Sequence, residues 1–294
     1  LIAGDELRIP LVILPTTYAY AAMVTLAAAL ASALVVRRRI DTLDLIAAEK
    51  AGILKPGIPV VQGQLPPAAD EVVANRAAEL GCRRFVCGAE FAWTDEPPGD
   101  ARRSQTRSQQ LDFWTPAGAY RGITLPLLGR HQAHNASLAV MAAELAAVHF
   151  PQITAHSVAA GLRETRWPLR FEILDGHPAV ILDAAHNTDS LRALVQVLEH
   201  NEWKQRQRIL VFAVSSDKDY HQMLQEILPH FDHVVLTRFR INPRSVPPEN
   251  LASLSREFAA SGLTVPPLQT SESVELALTE ARQLAGQAGV VVVT

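Results

Sequence analysis

Three polar clusters follow apolar stretches in the C-terminal half of the sequence. They occupy residues 183–187, 215–219 and 237–240. In an open parallel sheet, ligands bind beyond the carboxyl ends of the strands, so polar clusters at these positions predict a small-molecule site. Aspartate also commonly ends strands as a turn residue, and a purely structural role for Asp183 therefore stays open.

A fourth polar group precedes an apolar periodic segment. Residues 131–135 read His-Gln-Ala-His-Asn, and apolar residues at helical spacing follow them. Polar side chains and unpaired N–H groups at the start of a helix are suited to binding a nucleotide. Two alternatives remain: Asn135 caps the helix, or His131, His134 and His186 hold a zinc ion, for which His-x-x-His spacing is a weak indication.

The elements that must position these residues alternate in the last 120 residues or so. The pattern predicts a mostly parallel sheet with crossover helices. The predicted strands are 178–182, 208–214, 233–237 and 290–294, and the predicted helices are 189–200, 219–228 and 247–260.

The first half of the chain is also predicted to be α/β. Helices are expected over 44–50, 67–80 and 131–148, with short strands at 58–61 and 85–86. Residues 93–121 are polar and mixed, which predicts a hairpin-like excursion near a domain edge. Trp167 and Pro168 interrupt the chain before the sheet described above, and we place a domain boundary there.

Composition narrows the class of partner. The net charge is -3 with no long Lys/Arg cluster, which argues against nucleic acid. Two cysteines in 294 residues do not suggest a disulfide framework, and we expect a cytoplasmic protein. Residues 9–36 carry no charge and are long enough to span a bilayer. Their Ala and Thr content and two prolines favour core that packs against another domain.

Four blocks of sequence together resemble the folylpolyglutamate synthase / dihydrofolate synthase family, which is related to the Mur peptide ligases. The order and spacing of the blocks are similar from about residue 41 to the end. The blocks are IAAEKAGI at 46–53, GRHQAHNA at 129–136, WPLR at 167–170 with LDAAHN at 182–187, and DKD at 217–219.

The resemblance implies a fold and an organisation. We expect an α/β protein with a partial P-loop-type central domain at 1–124, a helical connection at 125–170 and a Rossmann-like C-terminal Mur-ligase domain at 171–294. It implies a monomer, and the composition described above gives no reason to expect a nucleic-acid or membrane partner.

The resemblance also implies a reaction. ATP converts a carboxylate into an acyl phosphate, and the amino group of L-glutamate then attacks it, so that folate or dihydropteroate and L-glutamate are joined with ATP and Mg²⁺. Lys50 matches a lysine that is carbamylated and holds magnesium, and a carbamate is an oxygen ligand suited to a hard metal. Lys50 as a solvated cation at a helix end is the alternative.

The nucleotide contacts are implied residue by residue. Asn135 matches the residue that contacts adenine, with His131 and Gln132 beside it. Arg170 and Asp183 match residues that approach phosphate and ribose respectively, in keeping with the forked guanidinium and the acceptor carboxylate. His186 lies in the loop where the family has a histidine near the phosphates, and we expect it to be catalytic together with Lys50. Lys218 is expected to bind the nucleotide.

Departures from the family pattern matter equally. The phosphate-binding loop of the family contains a Gly-Lys pair, and this sequence has none. Leu169 stands where the family usually has glycine. Because glycine adopts backbone conformations that leucine rarely does, the backbone beside Arg170 could differ from that of the family. We therefore expect the chain to lack the loop, to look cut at both ends and to be inactive alone. A non-catalytic relative and a Mur-type ligase of cell-wall precursors are the alternatives.

Overall fold

The computed structural model describes residues 47–95, 107–200 and 202–294. They form two compact units. The first contains residues 47–95, 110–126 and 132–165, and the second contains 107–109, 127–131, 166–200 and 202–294. Within these residues no helix is long and apolar enough to cross a bilayer. The apolar run 9–36 and its predicted role lie outside the described residues.

In the first unit, a parallel strand pair is covered by helices. Residues 47–51 are helical, and β1 (Val60–Gln62), α1 (Pro67–Glu79) and β2 (Arg84–Val86) follow. Ala69, Val73 and Ala77 recur at every fourth position and are buried, so α1 presents one apolar face. The predicted helix 67–80 is confirmed, whereas the strand predicted at 58–61 begins later because Ile58 is exposed.

A three-stranded antiparallel sheet and two helices complete the first unit. Leu111 and Phe113 alternate with partly exposed residues and are fully buried, as expected for a strand with one face in the core. The elements are β3 (Ala92–Asp95), β4 (Gln109–Thr115), β5 (Gly118–Leu125), α2 (Arg130–Ala147) and α3 (Ala155–Glu164). The hairpin predicted within 93–121 is confirmed by the adjacent strands β4 and β5.

The second unit is built on a six-stranded sheet with the order β10-β9-β8-β11-β7-β6. Only β6 in this sheet runs antiparallel to its neighbour. The strands are β6 (Glu172–Leu174), β7 (Ala179–Leu182), β8 (Arg208–Phe212), β9 (His233–Leu236), β10 (Leu268–Thr270) and β11 (Val290–Val293). The mostly parallel sheet predicted from the sequence is confirmed.

Helices cover both faces of this sheet. They are α4 (Thr188–His200), α5 (Tyr220–Ile227), α6 (Pro248–Ala260) and α7 (Val274–Ala285). The first three contribute to a large core with Trp203 and Phe212, and α7 covers a smaller core on Val180 and Val211. Burial on both faces explains why β8 is a continuous apolar run after Arg208.

The sequence did not predict β6, β10 or α7. The strands have three residues each. The buried positions of α7 are Ala277, Ala281 and Ala285, and alanine contributes little to an apolar pattern because it is small. The physical reason for these omissions is therefore weak local patterning.

Candidate functional site

Three strand ends of the second unit meet at one edge of the sheet. Strands β7, β11 and β8 are adjacent and parallel, so the residues that follow them lie side by side. The Asp183 N–H donates to the Val293 carbonyl at 3.0 Å, and the Ala213 N–H donates to the Thr294 carbonyl at 3.2 Å. The Thr294 hydroxyl donates to the Ala185 carbonyl at 3.1 Å. These bonds fix the loop that carries Asp183 and His186.

Arg170 lies in an unusual backbone segment beside this loop. Its neighbours Leu169 and Phe171 both have positive φ, 59° and 48°, a region that residues with side chains rarely adopt. Leu169 thus adopts a conformation suited to the glycine usual in the family.

The Asp183 carboxylate lies at this edge and is hydrogen-bonded to the backbone of the segment that carries Arg170. Its Oδ2 accepts a hydrogen bond from the Phe171 N–H at 2.8 Å. Desolvation raises the pKa of this carboxyl, while hydrogen bonds from Phe171 and Ala185 and the charges of Arg170 and His186 lower it in part. Arg170, Asp183 and His186 are therefore close enough to interact electrostatically.

His186 is exposed at the same edge. Its Nδ1 lies 3.1 Å from the Ala184 carbonyl, and since a carbonyl only accepts, this bond requires the proton on Nδ1. In the neutral ring Nε2 is then the nitrogen with a lone pair. The backbone of His186 is held by Ser190, whose hydroxyl accepts its N–H at 3.0 Å.

His131 lies near Arg170, in residues 127–131 of the second unit. Desolvation by surrounding atoms, followed by the charge of Arg170, lowers the pKa of His131 to about 4. His131 is exposed to water, so desolvation of its ring is weaker than in a closed core, and repulsion by the Arg170 guanidinium lowers the pKa in the same direction. His131 is accordingly neutral at neutral pH.

Lys218 follows β8 and is paired within its own loop. Its ammonium lies 3.3 Å from Asp217, which is also 3.9 Å from Arg244. The Ser215 hydroxyl and, to a lesser degree, Lys218 lower the pKa of Asp217. Two cations therefore share one carboxylate close to the edge that carries Asp183.

The remaining predicted residues belong to the first unit. Gln132 is buried, and the Asn135 amide nitrogen lies 3.5 Å from its side-chain oxygen. Within the described part of the chain the Asn135 Oδ1 is buried and has no hydrogen-bond partner. Lys50 is partly exposed and lies 3.4 Å from the Glu49 carboxylate. The approach of Asn135 to Asp183, which belong to different units, stays a prediction.

Two residues beside the site were not predicted. Glu172 accepts the Leu169 N–H at 2.9 Å. The Gln109 side-chain amide donates to the carbonyls of Leu127 at 2.6 Å and Gly129 at 3.1 Å, just before α2. Glu172 lies three residues after Leu169 and Gln109 lies 18 residues before Leu127. Neither contact follows from the sequence, because both depend on the backbone conformation of the segment that is bonded.

The zinc alternative finds no support in the described part of the chain. Residues 47–95, 107–200 and 202–294 contain no group of three or more His, Cys, Asp or Glu that could hold a metal ion. A Cβ added to Gly63 would lie 2.6 Å from the ring nitrogen of His134. His134 therefore packs on the end of β1 within the first unit.

Comparison with known proteins finds a family match in the second unit and relatives that match a larger part of the chain. Residues 169–294 match the family model "Mur ligase, glutamate ligase domain". The chain is 32% identical over 199 residues to the dihydrofolate synthase/folylpolyglutamate synthase of Bacillus subtilis, covering 66% of this chain and 44% of the relative. It is 34% identical over 220 residues to the Mycobacterium tuberculosis protein of the same name, covering 72% and 44%.

The chain belongs to the folylpolyglutamate synthase / dihydrofolate synthase family. The family's α/β architecture extends through both units. The crystal structure of the Mycobacterium tuberculosis folylpolyglutamate synthase complexed with ADP and AMPPCP matches with a TM-score of 0.73 and 29% identity, over 88% of this chain and 58% of that one. The chain spans about half the length of the curated relatives that it matches, 44% in both cases above.

Proposed function

We propose that this chain takes part in ATP-dependent formation of an amide bond between folate or dihydropteroate and L-glutamate. The observation that carries the proposal is that Asp183 and His186 follow β7 at the carboxyl edge of a sheet that matches a glutamate ligase domain, with Phe171, the neighbour of Arg170, bonded to Asp183. Relatives that are 32% and 31% identical to this chain are named dihydrofolate synthase/folylpolyglutamate synthase and folylpolyglutamate synthase.

The nucleotide would be recognised at both of its ends. The unpaired Asn135 Oδ1 is a buried acceptor, and the exocyclic amine of adenine is a donor of the matching kind. Gln132 orients this amide through its contact with the Asn135 nitrogen. Unmet acceptors are costly to bury, so a donor from the ligand would stabilise this position.

Arg170 and Asp183 suit the sugar-phosphate part. The guanidinium offers a planar fork to phosphate oxygens. The Asp183 carboxylate accepts from the Phe171 N–H and from Ala185, and its remaining lone pairs could accept from ribose hydroxyls. Neutral His131 would add a donor or acceptor without adding charge. Lys218 and His186 would extend the positive potential along the edge toward the transferred phosphoryl group.

The reaction would proceed in two balanced steps. The acceptor carboxylate takes the terminal phosphoryl group of ATP and gives an acyl phosphate and ADP. The glutamate amine then attacks the acyl carbon, phosphate leaves with the bonding pair, and the amine gives up a proton. In the neutral ring the lone pair on Nε2 makes His186 the candidate at this edge to accept that proton.

Magnesium would be held with few protein ligands. Lys50 is accessible and lies beside the Glu49 carboxylate. Its carbamate would place an oxygen anion next to another carboxylate, a donor set that fits a hard cation. Magnesium often uses one or two such groups together with substrate phosphates. When bound, the ion would neutralise charge on the phosphoryl oxygens.

The cellular setting is part of the same proposal. We propose a cytoplasmic, monomeric protein. Both cysteines, Cys82 and Cys87, are free thiols in the structure, and thiols persist in reducing compartments. Light scattering coupled to size exclusion would test the monomer.

Two measurements test the function. Calorimetry should detect Mg-ADP binding to the full chain and weaker binding by Asn135→Ala and Arg170→Ala. Labelled glutamate should then be offered with dihydropteroate, tetrahydrofolate or a UDP-muramyl acceptor. Incorporation only into the last would contradict the folate proposal and favour a cell-wall ligase.

A second candidate is a nucleotide-binding relative that does not catalyse. The observation that favours it is the missing Gly-Lys pair, since that lysine and its loop normally cradle the phosphates. It predicts Mg-ADP binding with no glutamate incorporation into any acceptor. Because we expect the chain alone to incorporate glutamate only at background rate, binding without turnover is compatible with both candidates. Turnover at an ordinary enzyme rate would exclude the non-catalytic candidate, and no binding at all would refute both.

A further inference from the structure

Arg170 is presented by two flanking residues in strained conformations. Leu169 and Phe171 have φ of 59° and 48°. For a residue with a side chain, the left-handed region brings Cβ close to the carbonyl oxygen, and such conformations persist only where surrounding contacts impose them. The contacts that impose them here determine where the Arg170 side chain begins.

Phe171 is held from two sides. Its side chain is 6% exposed and packs in the large core of the second unit. Its N–H donates to Asp183, because the antiparallel pairing of β6 with β7 sets Glu172 opposite Leu182 and therefore Phe171 opposite Asp183. Packing and sheet pairing are thus sufficient to fix this residue.

Leu169 has less support. Its side chain is 46% exposed, so core packing holds it less firmly than Phe171. Its carbonyl accepts the Ala184 N–H at 2.9 Å. Its own N–H is held by one side chain, since Glu172 Oε2 accepts it at 2.9 Å.

We propose that Glu172 is a positioning residue that keeps Leu169 in the left-handed conformation and so directs Arg170 toward His131 and Asp183. Glycine would adopt this conformation without strain. The brace is required because leucine occupies the position. The proposal rests on the proposed function only for its effect on nucleotide binding; the local geometry can be tested without a nucleotide.

The first test measures the position of Arg170 through His131. The pKa of the His131 ring is followed by NMR, assigned by its loss in His131→Gln. In Glu172→Ala, Arg170 should move away and the pKa of His131 should rise by about half a unit or more. Glu172→Gln retains an acceptor oxygen, so the pKa of His131 in this variant should stay near the wild-type value. Glu257→Ala removes a glutamate from an exposed site on α6 and serves as the control.

Glycine rescue distinguishes positioning from a general structural role. The double variant Leu169→Gly with Glu172→Ala should restore the low pKa of His131, because glycine needs no brace. In calorimetry with Mg-ADP, Glu172→Ala should bind about five- to tenfold more weakly and the double variant within about twofold of wild type, as expected for a local strain of this kind.

The outcomes separate the two proposals. If wild type does not bind Mg-ADP, the proposed function fails while the NMR comparison still decides the role of Glu172. The positioning role is overturned if the pKa of His131 is unchanged in Glu172→Ala, or if adding Leu169→Gly to Glu172→Ala does not restore the low pKa. If Glu172→Ala does not fold, Glu172→Gln and the double variant provide the comparison, and loss of the Arg170 effect in folded Glu172→Gln would also overturn it.

Discussion

Gly129 is predicted to be indispensable for the structure that leads into His131. It has φ of 103°, and an added Cβ would lie 2.7 Å from the Val197 side chain and 2.8 Å from the His131 ring. Two penalties therefore combine in Gly129→Ala. The positive φ costs about 1 to 2 kcal/mol, and overpacking costs about 1 to 3 kcal/mol. We expect a loss of about 2 to 4 kcal/mol in the free energy of unfolding, the upper part of the sum being reduced by side-chain relaxation.

Two other glycines in the same unit separate these contributions. Gly262 has φ of 96° with no atom within 4 Å of an added Cβ, whereas Gly289 would place its Cβ 2.5 Å from the Ala285 carbonyl oxygen without positive φ. Gly262→Ala therefore reports the backbone penalty alone, about 1 to 2 kcal/mol. Gly289→Ala reports a clash with backbone.

Guanidinium denaturation of the full chain provides the assay. Tryptophan fluorescence and circular dichroism should be followed together, since coincident transitions are needed before a free energy is assigned. Mg-ADP binding should also weaken in Gly129→Ala, because the His131 ring must move. A loss no larger than that of Gly262→Ala would show that Val197 and His131 give way freely, and the argument from close approach would fail.

Three further predictions concern other parts of the molecule. The pKa of His131 is lowered to about 4 in the folded chain, against an ordinary histidine pKa of about 6.5. Between these two pH values the unfolded state binds more protons than the folded state, so the free energy of unfolding should fall as pH decreases from about 6.5 to 4. In denaturation curves measured across that range, His131→Gln should reduce this fall. Gly63→Ala places a Cβ 2.6 Å from His134 and should destabilise the first unit by about 1 to 3 kcal/mol, and addition of His134→Ala should recover part of the loss; equal stability of both variants would contradict the contact. The 294-residue chain has no Gly-Lys pair and should incorporate glutamate only at background rate, because the charge on the transferred phosphoryl group lacks its usual donors. Turnover at an ordinary enzyme rate of about 1 per second would refute this expectation.

The sequence predicts the second unit well where burial is uniform. Strand β8 is apolar after its first residue and buried throughout, so a continuous run predicts it. Helix α7 was not predicted because alanines form its buried face. Edge strand β6 has three residues and depends on pairing with β7, which no local pattern specifies.

Some residues of the candidate site could also be predicted from local sequence pattern, and others could not. Asp183 and His186 could be predicted because polar residues directly after a buried strand reach the ligand edge of a parallel sheet. Glu172 and Gln109 could not, because their role is a side-chain hydrogen bond to backbone whose direction depends on φ and ψ of a distant or irregular segment. Such contacts appear only when the loop conformation is known.

Leu169 connects the departure from the family pattern with the chemistry of the site. A leucine at φ 59° is intrinsically unfavourable by about 1 to 2 kcal/mol. Asp183 braces the neighbouring Phe171 with one oxygen, so the same carboxylate that is proposed for ribose also stabilises the segment that carries Arg170. Loss of Asp183 should therefore weaken nucleotide binding in two ways, through the lost acceptor and through a displaced Arg170. Asp183→Asn keeps an acceptor for Phe171 and would separate them: if Arg170 still affects the pKa of His131 in Asp183→Asn while Mg-ADP binding weakens, the carboxylate itself contacts the ligand.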